Sequence, residues 1–418
     1  MIGKPTESNT TKLHESEIFT KRRNMKPREI KSDIYSVGAI DWDRRLFDAL
    51  IPLPDGTSYN AYLVKGKEKT ALIDTVDPTM QDVLLTNLKE LDIKRLDYVI
   101  ANHAEPDHSG TVPQVLGKYP EAKVVCTPKC QGILIDRFMI PEERFKTVED
   151  KERIVLGGRT LEFIHAPWVH WPETMLTYLR EEKILFPCDF FGSHLATTDM
   201  YLTDEGQVYE AAKRYYAEIM MPFRTNIQKN LEKIKEYDID IIAPSHGVMY
   251  NRAEFIVTAY RSWAYDEPKN IVVLPYVSMH GSTRKMVTFL VETLVQKGVT
   301  VKQFDLAVAD IGKLAMALVD AATVVIGTPT VLAGPHPIAA HAAFLTNALR
   351  PNLKYATIIG SYGWGGKTVE QVAAMLPNLK VELLEPVITK GFPEEADFKA
   401  LENLAETIAT KHKENGFA

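Results

Sequence analysis

Cysteine is scarce: the 418-residue chain has three, Cys126, Cys130 and Cys188. So few cannot build a disulfide framework, and an odd number leaves one unpaired. The C-x3-C spacing of the first two also lacks the second pair that a four-cysteine iron site needs. They read as buried or incidental thiols in a reducing cytosol. Positive charge is not in excess either. Lys and Arg number 49 against 55 Asp and Glu, a net charge of −6, which gives no electrostatic footprint for nucleic acid or an anionic membrane surface. No apolar run approaches the roughly 20 residues of a membrane span, and the polar N-terminus lacks the apolar core of a secretion signal. These absences predict a soluble cytoplasmic protein with no nucleic-acid or membrane partner.

What is present is a globular composition, 45% apolar, long enough for two or three domains. Residues 1–32 are rich in Lys, Arg, Glu, Ser and Thr, show no strand or helix period, and read as a poorly ordered extension; the run Lys21-Arg22-Arg23 reads as solvated charge. Between residues 33 and 266, short β-rich runs alternate with turns and helical stretches. The runs are Ile34–Ile40, Tyr59–Val64, Thr70–Val76, Asp97–Ala101, Ala122–Cys126, Leu161–Ile164, Thr174–Leu179 and Ile184–Phe186. Helical patterns follow at Gln207–Met221 and Asn226–Glu236, then the apolar run Ile239–Ala243. The exposed-looking stretch Asp266-Glu267-Pro268-Lys269-Asn270 marks a boundary. In residues 267–418 five strands, Ile271–Tyr276, Thr300–Asp305, Thr323–Gly327, Tyr355–Gly360 and Lys380–Leu384, alternate with five helices. Parallel neighbours need crossover helices, so this pattern predicts a doubly wound five-stranded parallel sheet.

The first constellation is Asn102-His103-Ala104-Glu105-Pro106-Asp107-His108-Ser109-Gly110, directly after an apolar run. It places four candidate metal ligands, His103, Glu105, Asp107 and His108, within six positions on a loop at a strand's end. Three more follow later apolar runs: His170 in His-Trp-Pro, Asp189 after Ile184–Cys188, and His246 in Pro-Ser-His-Gly. Seven ligands exceed the needs of one tetrahedral metal, and imidazoles mixed with carboxylates suit two ions bridged by a carboxylate, for which Asp189 is the natural choice. Glu105 stands where a histidine would give a zinc hydrolase its nitrogen-rich set, which shifts the preference toward iron or manganese. His108 either binds the second metal or only hydrogen-bonds outside it. His165 and His194, each alone, read as structural.

The second constellation follows the strands of the C-terminal region. Ser278, Met279, His280, Gly281, Ser282 and Thr283 lead into an amphipathic helix, offering backbone N–H groups and the positive end of a helix dipole to a phosphate. No lysine stands in this loop, which argues against a nucleoside triphosphate. Thr328, Pro329, Thr330, Val331 and Leu332 follow the third strand, and Ser361, Tyr362, Gly363, Trp364, Gly365 and Gly366 the fourth. In strand order 2-1-3-4-5 these loops meet at the switch point, where ligands bind. Tyr362 and Trp364 among glycines offer flat faces beside exposed amides, suited to an isoalloxazine ring, with the phosphate of FMN in the first loop.

Together the two constellations resemble the flavodiiron protein family, the A-type flavoproteins. The resemblance runs from about Ile34 to the C-terminal helix. It rests on His-x-Glu-x-Asp-His-Ser-Gly at 103–110, His-Trp-Pro at 170–172, Cys-Asp-Phe-Phe-Gly at 188–192, Pro-Ser-His-Gly at 244–247 and the three loops above. It implies an N-terminal metallo-β-lactamase-like αββα sandwich carrying two irons, over residues 33–266, followed by a flavodoxin-like FMN domain over 267–418. It further implies that His103, Glu105, His170 and Asp189 hold one iron, and Asp107, His108, Asp189 and His246 the other. Such proteins reduce dioxygen to water, nitric oxide to nitrous oxide, or both. Two ferrous ions and one reduced flavin together supply the four electrons that dioxygen needs. The resemblance also implies a head-to-tail homodimer or a dimer of such dimers. The sequence shows neither rubredoxin cysteine pairs nor a flavin reductase segment, so an external donor, rubredoxin or a reduced deazaflavin, is expected.

Two rival readings belong to other classes. A metallo-β-lactamase-type zinc hydrolase would attack an ester or thioester with a metal-bound hydroxide, but Glu105 and the attached flavin loops argue against it. A flavin electron carrier with a purely structural metal site would need a closed site, whereas a carboxylate-rich set of seven ligands keeps exchangeable positions.

Overall fold

The computed structural model describes residues 26–417. The extension expected over the N-terminus lies outside the described residues up to position 25, the run Lys21-Arg22-Arg23 included. Within the last part of that stretch, Arg28–Lys31 is a β-strand, paired antiparallel with Ile34–Ser36. The reading of residues 28–31 as unstructured is therefore corrected: the turn at Asp33, with φ of +58°, folds them back as a sheet edge. Edge strands tolerate the charged side chains that hide this one from pattern reading.

Contacts divide the chain into two compact units. One takes the chain up to Arg44, Asp55–Thr203 and Asp238–Ala253; the other takes Arg45–Pro54, Asp204–Tyr237 and everything from Glu254.

The first unit is built on two sheets. The larger has seven strands in the order Arg28–Lys31, Ile34–Ser36, Tyr62–Lys65, Thr70–Ile73, Tyr98–Ile100, Lys123–Cys126, Phe145–Thr147; the smaller has five, Arg153–Val155, Thr160–His165, Met175–Leu179, Ile184–Phe186, Ile241–Ile242. Alternation along the strands assigns the faces. Tyr62, Val64, Ala71, Ile73 and Val125 turn inward and pack with Ile154, Leu161, Phe163, Met175 and Phe186 of the smaller sheet. Leu63, Leu72, Val124 and Cys126 turn the other way, under the helices Gln81–Glu90, Val112–Lys118 and Pro128–Phe138. All three cysteines are free and buried.

In the second unit the sheet order is Thr300–Asp305, Lys269–Tyr276, Ala321–Val331, Tyr355–Tyr362, Glu382–Leu383, each pair parallel. This is the expected doubly wound 2-1-3-4-5 arrangement. Val272 and Leu274 face the helices Ser282–Gln296 and Glu395–Glu414, while Val273 faces Ile311–Asp320 and Pro337–Leu349. The fifth strand is interrupted: after Leu383 the chain leaves the ladder and rejoins the fourth strand at Val387–Lys390. Pro386, which has no N–H to give, lies in the gap. Among the described residues, no helix is long and apolar enough to cross a membrane.

Candidate functional site

The strand Tyr98–Ile100 runs into a loop tied down by Asn102. Its backbone N–H and side-chain amide both donate to the buried Asp74 carboxylate at 2.9 Å, and its side-chain carbonyl accepts from Thr177 at 2.7 Å. Glu105, in extended conformation, precedes the single helical turn Pro106–Ser109. The Ser109 hydroxyl closes that turn onto the Ala104 and Glu105 carbonyls. The turn sends Asp107 and His108 in a different direction from His103 and Glu105. Two other loops complete the site. Ala243 N donates to Leu185 O at 2.8 Å and Ser245 N to Cys188 O at 2.9 Å, which brings the loop of His246 beside that of Asp189. Gly247 has φ of +80°, and a Cβ there would stand 2.0 Å from Ser193 Oγ, so this close approach requires glycine.

All seven residues singled out for metal binding come together. Ligating atoms of His103, Glu105, His170 and Asp189 form one group, and those of Asp107, His108 and His246 another, each within 4.8 Å. In the first, Glu105 Oε2 lies 3.2 Å from both His103 Nε2 and His170 Nε2. In the second, Asp107 Oδ2 lies 3.3 Å from His108 Nε2 and 3.1 Å from His246 Nε2. Asp189 divides between them: Oδ2 is 3.1 Å from His170 Nε2, while Oδ1 is 2.9 Å from His108 Nε2 and 3.3 Å from His246 Nε2. His165 stands apart, its Nε2 on the Val148 carbonyl at 3.0 Å.

Burial works against charge here, yet the groups charge one another. Burial opposes protonation of His246, but its contacts with Asp107 and Asp189 prevail and raise the ring to about 10. His170 rises to about 9 against the same penalty, through Asp189 and Glu105. Burial likewise favours a neutral Asp189, and its histidine neighbours overcome this and hold the carboxylate well below its usual range. This is how a cluster of ligands looks when imidazolium protons stand in for cations. Both oxygens of Asp107, Nε2 of His108 and Oδ1 of Asp189 are buried and, despite their short approaches to one another, make no well-aligned hydrogen bond among the described residues. Leaving such atoms unsatisfied is costly. Two imidazoles, one carboxylate of its own and one oxygen of Asp189 at each group form the donor set of a divalent transition metal such as iron. The residues fit two ions.

Sequence reading missed the groups behind the ligands. Glu173, buried, receives the Nδ1 side of His103 at 2.8 Å and the Ala104 N–H at 3.1 Å on one oxygen. The Nδ1 of His246 faces the Ser58 carbonyl at 2.6 Å. His194, which sequence left as structural, is buried with its ring centroid 4.8 Å from that of His246 and its Nδ1 2.9 Å from the Thr57 hydroxyl. Burial, then the positive charge of His246, keep it well below the ordinary imidazole range. Glu173 lies one residue past His-Trp-Pro, a position that composition does not distinguish.

The three segments expected to bind flavin lie in the second unit at the carboxyl ends of their strands; Thr328–Val331 and Ser361–Tyr362, read as loop from the sequence, are the last residues of the strands themselves. Gly281, with φ of +91°, precedes the helix Ser282–Gln296, and Arg284 N donates to Ser278 Oγ at 3.2 Å. Thr283 Oγ1 lies 3.4 Å from Ser361 Oγ, joining the first loop to the third. A Cβ on Gly366 would come within 2.6 Å of Thr330 Cγ2, so the third loop also rests on the second. Met279 and, almost fully, Leu332 and Trp364 are exposed at the tips, while Thr283, Thr328 and Ser361 are buried at the base. His280, Pro329, Val331, Tyr362, Gly363 and Gly365 complete the same three segments.

Known proteins share this sequence and fold. A family model described as ODP family beta lactamase matches residues 57–247. The nitric oxide reductase of Moorella thermoacetica is 36% identical over 394 residues, 92% of this chain and 98% of that protein. The solved structure of rubredoxin oxygen:oxidoreductase from Desulfovibrio gigas superposes with a TM-score of 0.90 at 31% identity, covering 94% of this chain and all of that one. That of the flavodiiron protein from Giardia intestinalis gives 0.86 at 28% identity, covering 92% and 96%. Sequence, fold and site agree, and the chain belongs to the flavodiiron protein family.

Proposed function

We propose that this protein reduces dioxygen to water, nitric oxide to nitrous oxide, or both, at a di-iron centre fed with electrons by FMN. The observation that carries the reading is the division of Asp189, whose two carboxylate oxygens face separate imidazole–carboxylate groups. When bound, two irons supply adjacent one-electron reductants for the gas, and FMN supplies paired electrons in single steps.

The protein's own part is placement. His103, Glu105 and His170 would hold one ion and Asp107, His108 and His246 the other, with one oxygen of Asp189 turned to each group. Glu173 and the Ser58 carbonyl fix the ring orientations of His103 and His246. His194, kept neutral beside His246, is held by Thr57. Residues 278–283 bind the FMN phosphate at the start of their helix, and 328–332 with 361–366 cradle the ring; residues 33–266 thus carry the iron site and 267–418 the flavin. An external donor, rubredoxin or a reduced deazaflavin, reduces the flavin. The working assembly is a head-to-tail homodimer or a dimer of dimers, in which FMN of one copy serves the irons of the next. The three buried free thiols suit the cytoplasm.

Asp189→Ala tests the reading. The variant is expected to retain FMN and lose gas consumption; full activity in a variant confirmed by mass would overturn it.

A further inference from the structure

The two metal groups match in their ligating atoms and differ behind them. Each offers two imidazole nitrogens, one carboxylate of its own and one oxygen of Asp189. Behind His103 stands a full carboxylate: Glu173 Oε1 lies 2.8 Å from His103 Nδ1, with both side chains wholly buried, and the Ala104 N–H at 3.1 Å fixes the same oxygen in place. Behind the other group the partners are neutral: His246 Nδ1 meets the Ser58 carbonyl at 2.6 Å, with the Thr57 hydroxyl at 3.5 Å, and His108 Nδ1 is buried with no hydrogen bond among the described residues. A second buried carboxylate, Asp74, accepts hydrogen bonds from Asn102 on both oxygens and makes none to either ring, although its charge acts through space on His108 more than on His103.

Resting on the di-iron reading above, we propose that Glu173 is a positioning residue that makes the two irons unequal: the iron at His103, Glu105 and His170 is the more electron-rich, is harder to reduce, and is held more tightly. A carboxylate accepting the distal N–H of a ligating imidazole increases the ring's donor strength and locks its tautomer, which Asp74, hydrogen-bonded to neither ring, does not do. With two irons bound, the first electron passed from reduced FMN would be accepted on the His246 side, and Glu173 would favour the ferric state on the His103 side.

Redox titration of the iron-loaded protein, followed by electron paramagnetic resonance of the mixed-valent centre, tests this. The unaltered protein should show two resolved one-electron steps; coincident steps with no mixed-valent signal would overturn the proposal. In Glu173→Gln, which keeps an acceptor and removes the charge, the step at lower potential should move up and the separation shrink, while the upper step stays. In a chelator competition one of its two irons should be lost about 10- to 100-fold more readily and the other unchanged. Glu173→Asp, which keeps the charge, should retain the separation even if the Gln variant assembles poorly. An unchanged separation in a Glu173→Gln protein with two irons would refute the role of Glu173 while leaving the di-iron reading intact. Failure of the unaltered protein to bind two irons would refute that reading itself.

Discussion

His108 Nε2 lies 2.9 Å from Asp189 Oδ1, while the other nitrogen of the same ring, Nδ1, is buried and makes no hydrogen bond among the described residues. A ring with nothing to hold at its back is oriented by what its front binds. Whether His108 ligates metal or only assists from outside, which sequence leaves open, thus becomes a measurable difference. His108→Ala is expected to lower iron from two per chain toward one, with the His103 group still filled. Metal analysis after gel filtration decides it, and two retained irons would assign His108 an outer role.

Much of this site was legible because its ligands cluster locally. Four of seven stand in the run 103–108, and the others follow apolar runs that the sheets turn into neighbouring loops. The flavodoxin-like strand order was legible for a related reason, since parallel pairing forces helices between strands. What escaped depends on contacts far apart in sequence. Ser58 reaches His246 across 188 positions, and Glu173 reaches His103 across 70. Arg45–Pro54 and Asp204–Tyr237 cluster with the C-terminal unit although they precede residue 266 in the chain. The strand Arg28–Lys31 was hidden by its charge, and the break at Pro386 by the apolar run around it.

Gly366 tests the flavin crevice independently of the irons. Its missing Cβ would stand 2.6 Å from Thr330 Cγ2 and 3.0 Å from the Ala333 backbone. Gly366→Ala should push the second and third loops apart and lower FMN content, read from the flavin absorbance per chain, with iron unchanged. Full flavin occupancy would place the ring elsewhere.

Two buried groups outside the site give the second unit an acid response of opposite signs. His412 is lowered to about 4 by burial, with its ring nitrogens on Asn270 and Thr323 at 2.8 and 2.7 Å. An unfolded histidine takes up its proton near pH 6.5. Its contribution is therefore full above that value and falls as pH drops from about 6.5 to 4. Glu218 is raised to about 7 by burial, in spite of Arg214 beside it. Its contribution is present below about 4.5 and is lost as pH rises to 7, on the order of 3 kcal/mol by the size of the shift. Denaturant unfolding at pH 5 and pH 7.5 should show Glu218→Gln flattening the alkaline loss and His412→Gln the acid one. Parallel curves for variant and parent would refute the assignment.

The three cysteines are buried; contact with Cys126 and then burial raise the Cys130 thiol well above its usual range, and burial does the same for Cys188. Such thiols are poor nucleophiles. A small thiol reagent should label none in the folded protein within minutes and three per chain in denaturant. Rapid labelling of the native protein would contradict the packing.

The central claim is tested most directly by one anaerobic experiment on the intact protein. Iron and FMN are quantified per chain, the protein is fully reduced, and consumption of dioxygen and of nitric oxide is followed in parallel. The account predicts two irons, one FMN and rapid turnover of at least one gas, and the faster gas names the preferred substrate. A protein that holds zinc without flavin, or one with both cofactors that consumes neither gas, would contradict it.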